Sequence, residues 1–329
     1  MTGLPYFDAH CDTITAALSR GQRLFRNGLQ LDLERIGKYA PAAQVFAIFT
    51  RPHDAPPPAG LTPEQIYDLP DAPEETLTRL CDEVLDGLLS ELEANSGTAV
   101  LCRSAQDIKN ANAQGKIAAL ISVEGAELLG CSTERLRTAY DRGVRLVNIT
   151  WNFPNSLSGT AMSGNKSGLT EKGRRFVRFA QELGVGVDMS HISESAFWDC
   201  CEIAERPIIA SHSNSKALCG HPRNLTDDQF RALVKLGGGA GLNLCTDFLG
   251  LGRDVEAVVE HAEHFLSLGG EKSTCLGGDL DGIDGLPHGM TGVQSWGAVY
   301  EAMLRRNWSE DLVRDIFYNN WLEIMEKMI

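Results

Sequence analysis

No apolar run in this chain approaches the ~20 residues that a bilayer-crossing helix needs. The amino terminus, Met1-Thr2-Gly3-Leu4-Pro5-Tyr6-Phe7-Asp8, lacks the basic and apolar stretches of a secretory signal. A cytoplasmic location with no membrane partner is therefore expected. Positive charge is also scarce: 30 Lys plus Arg stand against 44 Asp plus Glu, a formal net charge of -14. Such a field repels phosphate backbones, so nucleic acid is excluded as an expected partner. The nine cysteines contain no Cys-x-x-Cys pair, and their odd, scattered arrangement speaks against a full disulfide framework and against a thiolate zinc knuckle. They read as reduced, mostly buried small hydrophobes. No Gly-x-Ser-x-Gly elbow is present, and Cys200 and Cys201 have no base nearby in sequence, so covalent catalysis ranks low.

What is present is an ordinary globular composition, 43% hydrophobic and 22% charged, spread over 329 residues. Short apolar runs rich in β-branched residues lie at Tyr6 to Ala9, Gln44 to Phe49, Ile117 to Val123, Arg145 to Thr150, Val185 to Met189, Ile208 to Ala210, Ala240 to Leu244 and Cys275 to Gly277. Helical patterns such as Glu74 to Glu93, Thr133 to Asp141, Thr170 to Leu183, Ser193 to Glu205, Asp227 to Leu236 and Asp254 to Leu268 separate them. Nearly continuous apolar strands alternating with helices belong to parallel sheets buried on both faces. Eight such units predict an α/β fold, a (β/α)8 TIM barrel forming one domain over residues 1–329. Trp296 to Arg305 and Asp311 to Met328 are the expected terminal helices. The rival, an open doubly wound sheet, often carries a glycine-rich phosphate turn after its first strand; here that place holds Ala9-His10-Cys11-Asp12. The proline-rich stretch Arg51 to Pro73 cannot be regular throughout and reads as a surface excursion bordering a binding site.

Ionisable residues gather at the carboxyl ends of the runs, the edge where barrel active sites form. His10 and Asp12 share one face by i, i+2 spacing and suit one cation, or else are a strand-end histidine and a helix cap. Glu124 closes a buried run, where a carboxylate must be neutral, paired or metal-bound; an ion pair explains it equally well. His191 and His212 end consecutive units, which favours neutral imidazoles completing a second metal site over two unrelated structural histidines. Asp279, in Gly277-Gly278-Asp279-Leu280-Asp281-Gly282, fails as a calcium loop because Ile283 and Met290 stand where oxygen ligands are needed, and suits proton exchange instead. Arg223 offers a bidentate fork for a substrate carboxylate, or makes an ordinary surface ion pair. His261 and His264 look exposed on an acidic helix, and His53, His221 and His288 read as loop residues.

Together, His10-Cys11-Asp12, Val123-Glu124-Gly125, Asp188-Met189-Ser190-His191, Ser211-His212-Ser213, Arg223-Asn224 and Gly277-Gly278-Asp279-Leu280-Asp281-Gly282 resemble, in order and spacing, the membrane dipeptidase (renal dipeptidase) family of amidohydrolase-like metal enzymes. The likeness runs from about Asp8 to the carboxyl terminus and includes Arg305-Arg306-Asn307-Trp308. It implies two Zn2+ ions per chain, one held by His10, Asp12 and Glu124, the other by the bridging Glu124 with His191 and His212. It further implies dipeptide hydrolysis by a hydroxide shared between the zincs, Asp279 as proton shuttle, Arg223 gripping the dipeptide's free carboxylate, and a homodimer. One position departs from the animal members, which carry a substrate-contacting histidine where this chain has Trp151; indole can donate one hydrogen bond but carries no proton. Two other functions stay open: hydrolysis of another small amide, lactam or lactone, and metal-containing binding without turnover.

Overall fold

The computed structural model describes residues 3–51, 61–69, 71–250 and 252–329. Eight strands are hydrogen-bonded into one sheet: β1 (Tyr6–Asp8), β2 (Ala42–Ile48), β3 (Ala99–Leu101), β4 (Ile117–Val123), β5 (Val144–Asn148), β6 (Gly186–Asp188), β7 (Ala240–Leu242) and β8 (Thr274–Leu276). Every pairing is parallel, in the order β6-β5-β4-β2-β1-β8-β7, with β3 also paired to β4. Parallel neighbours need a crossover, and helices supply it. The result is a mixed α/β fold around a curled parallel sheet.

The gap between β6 and β7 holds the expected run Ile208 to Ala210, which makes only single parallel bridges, Asp188 to Ile209 and Ala210 to Ala240. Close backbone approach explains the sparse pairing there. A Cβ on Gly277 would lie 1.8 Å from the Ser211 carbonyl oxygen, and one on Gly238 would lie 1.8 Å from that of Ile208. Glycine at both places lets the chain pass.

The helices follow their sequence signals. Glu171–Leu183 starts at Thr170, whose hydroxyl accepts the Gly173 N–H, and stops at Gly184 with φ 81°. Its buried face carries Phe176, Val177 and Ala180 at helical spacing. Asp227–Lys235 opens with a reciprocal cap between Thr226 and Gln229.

Two expectations are corrected. β3 escapes the sequence pattern because it has three residues and one of them, Val100, is exposed. The single helix expected over Asp311 to Met328 is instead Glu310–Arg314, a wider π-type turn Asp315–Asn319, and Asn320–Met328. The wide turn lets Ile316, Phe317 and Tyr318 all bury against the sheet and its neighbouring helices. Asn320–Met328 then runs along the amino ends of the strands: Asn320 Nδ2 donates to the carbonyls of Glu271 and Thr274, and Trp321 Nε1 donates to that of Leu276 at 2.7 Å.

Of the proline-rich excursion, residues 52–60, with His53, and residue 70 lie outside the described residues. The remainder contains the helix Pro63–Tyr67, capped by Thr62 and Gln65. Among the described residues no helix is long and apolar enough to cross a membrane. All nine cysteines are free thiols, and Cys201, Cys219 and Cys245 are only half-buried.

Candidate metal centre

The carboxyl ends of the strands bring six ionisable side chains from five stretches of chain together. After β1, the Asp8 carboxylate accepts the backbone N–H of His10 at 3.0 Å and that of Gly278 at 2.9 Å, locking the turn that presents His10. Burial pushes the Asp8 carboxyl up to about 6, against those two hydrogen bonds. His10 Nε2 then lies 3.5 Å from Asp12 Oδ2, 3.6 Å from Glu124 Oε1 and 3.8 Å from Asp279 Oδ1. Glu124 follows β4 and is buried; its Oε1 is 2.9 Å from His191 Nε2 and 3.5 Å from His212 Nε2. Two donor triads result, His10 with Glu124 and His212, and His10 with Asp12 and Asp279, each with its atoms within 4.8 Å of one another.

Hydrogen bonds on the far side of two rings fix their tautomers. His191 Nδ1 lies 2.7 Å from Asn152 Oδ1, an amide oxygen that can only accept, so that Nδ1 carries the proton. His212 Nδ1 lies 2.7 Å from Ser211 Oγ, whose own proton goes to the buried Asp188 carboxylate, so His212 Nδ1 is the donor there as well. Both Nε2 atoms are therefore bare lone pairs, and they face each other at 2.9 Å beside a carboxylate oxygen. Such a set repels itself unless a cation sits among its members, which is the donor chemistry of a divalent metal site. Both nitrogens of buried His10 and Oδ1 of Asp12 also lack a hydrogen-bond partner.

The electrostatics agree. Burial lowers the pKa of His10, but the charges of Glu124, Asp12 and Asp279 outweigh it and raise it to about 10. Burial, with the charges of Arg223 and His10, holds His191 and His212 well below the usual imidazole range. Burial raises Glu124, and Asp12 and Asp279 add to the rise. Burial likewise raises Asp279.

The backbone is strained here. His191, Asp279 and Asp281 adopt φ of 74°, 57° and 68°, a region non-glycine residues seldom occupy. Asp279 is steadied by Asn243, whose Nδ2 donates to its Oδ2 at 3.0 Å and to the His212 carbonyl at 3.1 Å. Asp281 accepts the Gln30 N–H at 2.7 Å and the Thr13 hydroxyl at 2.5 Å, tying the loop after β8 to the first helix. A Cβ at Gly282 would lie 2.0 Å from Asp12 Oδ2 and 2.6 Å from Asp279 Oδ1, so a larger residue there would push both carboxylates out of place.

A cavity of about 670 Å³ opens over the cluster, lined among others by Asp12, Glu124, His191, Arg223 and Asp279. Arg223 is 5% exposed and its Nη2 has no partner, so this guanidinium is not an ordinary surface ion pair. Burial lowers its pKa, while Asp279 and Glu124 oppose the shift. Trp151 forms a wall with Phe49 and Tyr67, at ring separations of 4.8 and 5.6 Å, and its ring lies 6.2 Å from that of His191. Arg51 backs the wall, 4.9 Å over the Trp151 ring, with its Nη2 2.9 Å from Glu127. Thus the described end of the proline-rich excursion, through Tyr67, does border this cavity.

His10, Asp12, Glu124, His191, His212, Asp279, Arg223 and Trp151 therefore meet at one end of the sheet. The supporting residues Asp8, Asn152, Asp188, Ser211 and Asn243 escaped sequence reasoning. The signal for three of them was there: Asp8, Asp188 and Asn243 are polar residues inside or ending otherwise apolar runs. His261, read as exposed, is 1% exposed; it accepts the Ser215 N–H at 3.0 Å and faces the Leu249 carbonyl at 3.3 Å. His264 pairs with Asp227 at 2.8 Å, so neither histidine belongs to a metal cluster.

Comparison with known proteins points the same way. The family model described as membrane dipeptidase (peptidase family M19) matches residues 1–328. Human Dipeptidase 3 is 31% identical over 263 residues, covering 78% of this chain and 53% of that protein. An Acinetobacter calcoaceticus protein described as an uncharacterized protein in the PQQ-III 3' region is 30% identical over 286 residues, covering 80% of this chain and 89% of that one. Among solved structures, a Rhodobacter sphaeroides metallopeptidase liganded with a phosphinate mimic of the dipeptide L-Ala-D-Ala superposes with a TM-score of 0.89 at 28% identity, covering 99% of each chain.

Proposed function

The chain belongs to the membrane dipeptidase family of metallopeptidases, and from that premise we propose that it hydrolyses the amide bond of dipeptides with two Zn2+ ions held at the strand ends. His10, Asp12 and Glu124 would hold one ion; Glu124, His191 and His212 would hold the other. The single observation that carries this reading is the pair of bare imidazole Nε2 atoms 2.9 Å apart beside Glu124 Oε1. The bridges at Ile209 and Ala210 support closing the curled sheet into one (β/α)8 hydrolase barrel.

Bound divalent ions would supply a water of lowered pKa and polarise the scissile carbonyl. The remaining work falls to side chains of this protein. Asp279 accepts a proton from the attacking water through the oxygen that faces His10, and passes it to the departing amine nitrogen. Asn243 keeps its other oxygen occupied, which fixes the carboxylate plane. Arg223, desolvated and with a free Nη2, binds the dipeptide's carboxylate and so restricts substrates to two residues. Trp151, with Phe49 and Tyr67, screens the cavity from water.

Metal analysis combined with a dipeptide panel tests the proposal. Two zincs per chain, activity lost on chelation and restored by zinc, and turnover dependent on a free carboxylate are expected. Full activity in metal-free protein would overturn it. Because Trp151 offers no proton carrier, a second reading keeps the metals but changes the substrate to another small amide, lactam or lactone. Faster turnover of a compound without a free carboxylate would favour it.

A further inference from the structure

Arg223 lines two cavities, not one. Besides the 670 Å³ space over the cluster, it borders a second of about 940 Å³, and Met162, His191 and His221 are shared between them. The larger cavity lies between the segment 161–166, the helix Glu194–Ile203 and the segment 213–225. Its apolar lining includes Met189, Ile192, Phe197 and Leu225, and Trp198, 40% exposed, adds an indole. Apart from Arg223, whose charge the substrate's carboxylate would offset, the two lysines Lys166 and Lys216 are matched by two acids, Glu64 and Glu194, so the rest of the lining has bulk and apolar surface but no net sign.

The chemistry of a dipeptide then decides what goes where. The α-carbon of its second residue bears three heavy groups: the carboxylate, the scissile nitrogen and the side chain. With the carboxylate on Arg223 and the nitrogen toward Asp279, the side chain starts beside Arg223, where the two cavities meet. We propose that the larger cavity receives the side chain of the substrate's carboxyl-terminal residue, so that the protein prefers dipeptides ending in a bulky uncharged residue. This rests on the dipeptidase reading above. A cavity of this size exceeds any natural side chain and falls within the ~300–1,000 Å³ of ordinary ligand pockets.

The zinc-loaded protein should be assayed on Ala-Gly, Ala-Phe, Ala-Asp and Ala-Lys, with both hands of the second residue. Ala-Phe of one hand is expected to exceed Ala-Gly in kcat/KM by about tenfold or more, with Ala-Asp and Ala-Lys below Ala-Phe. Ser195→Trp plugs the cavity from the exposed start of its helix, with no change to any residue proposed to hold metal. It should lower kcat/KM for Ala-Phe about tenfold and leave Ala-Gly within about twofold. Gly220→Trp plugs the opposite wall, where a Cβ meets nothing within 4 Å, and should repeat the effect if the first variant folds poorly. Equal slowing of both substrates by the plugs would make the cavity an entry route and overturn the proposal. So would an unchanged Ala-Phe to Ala-Gly ratio, or a charged residue preferred over Phe. Failure of every dipeptide to react would instead sink the dipeptidase reading itself, and this inference with it.

Discussion

The two ends of the sheet differ in what their polar atoms do. At the amino ends, the helix Asn320–Met328 buries Trp321, Ile324, Met325 and Met328 against side chains such as Phe7, Leu120, Leu146 and Cys275, and the indole N–H finds the Leu276 carbonyl. At the carboxyl ends, buried nitrogens of His10 and Arg223 have no partner, and His191 and Asp279 sit at positive φ. One end is built for stability; the other holds unpaired charge and strain that the packed end must outweigh. The two should therefore respond to substitution in opposite ways.

The largest expected effect is at the strained end. Glu124→Gln removes the carboxylate that is proposed to bridge the two ions, so kcat/KM should fall by on the order of 10⁴ or more and bound metal should be lost. The metal-free variant should nonetheless melt no lower than the metal-free parent, because a buried acid has been neutralised. Calorimetry and metal analysis on the same preparations check both statements. Trp321→Ala should do the reverse: about 3–5 kcal/mol of stability lost to the cavity and the unpaired carbonyl, with kcat/KM per folded molecule unchanged. Urea titration alongside active-site counting would decide it.

A third prediction concerns pH. Burial first, with His264 nearby adding to it and the Leu249 bond opposing, lowers the His261 pKa from 6.5 to about 4. The unfolded chain therefore binds this proton more readily than the folded one, so stability rises with pH across that window. The contribution is complete above pH 6.5 and is lost as the pH falls toward 4, amounting to about 3 kcal/mol at most. His261→Asn should flatten the dependence of the urea midpoint between pH 6.5 and 4; an unchanged slope would refute the assignment. The smallest effect is expected from Asn152→Ala, which frees the His191 ring to turn: a 10- to 100-fold weaker metal affinity or activity, roughly, with little change in unfolding midpoint. Zinc titration against a competing chelator measures it.

Much of this contrast was legible in the chain. A carboxylate closing a buried apolar run is costly unless something compensates, which marks Glu124, and imidazoles at equivalent ends of consecutive units mark His191 and His212. β3 was missed because a three-residue strand with an exposed middle residue has no period to detect. The expected sixth strand was recognised as a run but makes only single bridges, since glycine-mediated approach of carbonyl groups replaces regular pairing there. Asn152 was hidden behind the more conspicuous Trp151, and His261 looked exposed because its neighbours on the helix are acidic while its own face turns inward.

Local chemistry by itself determined the alternation of buried strands with capped helices, and which donor types end each strand. Those features depend on spacing within a dozen residues. Tertiary structure alone decided that His191 and His212 present bare nitrogens to each other, that Arg223 is desolvated at the meeting point of two cavities, and that Asp279 faces His10. Each depends on hydrogen bonds and contacts between segments far apart in the chain, and the orientation of a ring or a fork follows from those partners, which no run of adjacent residues specifies.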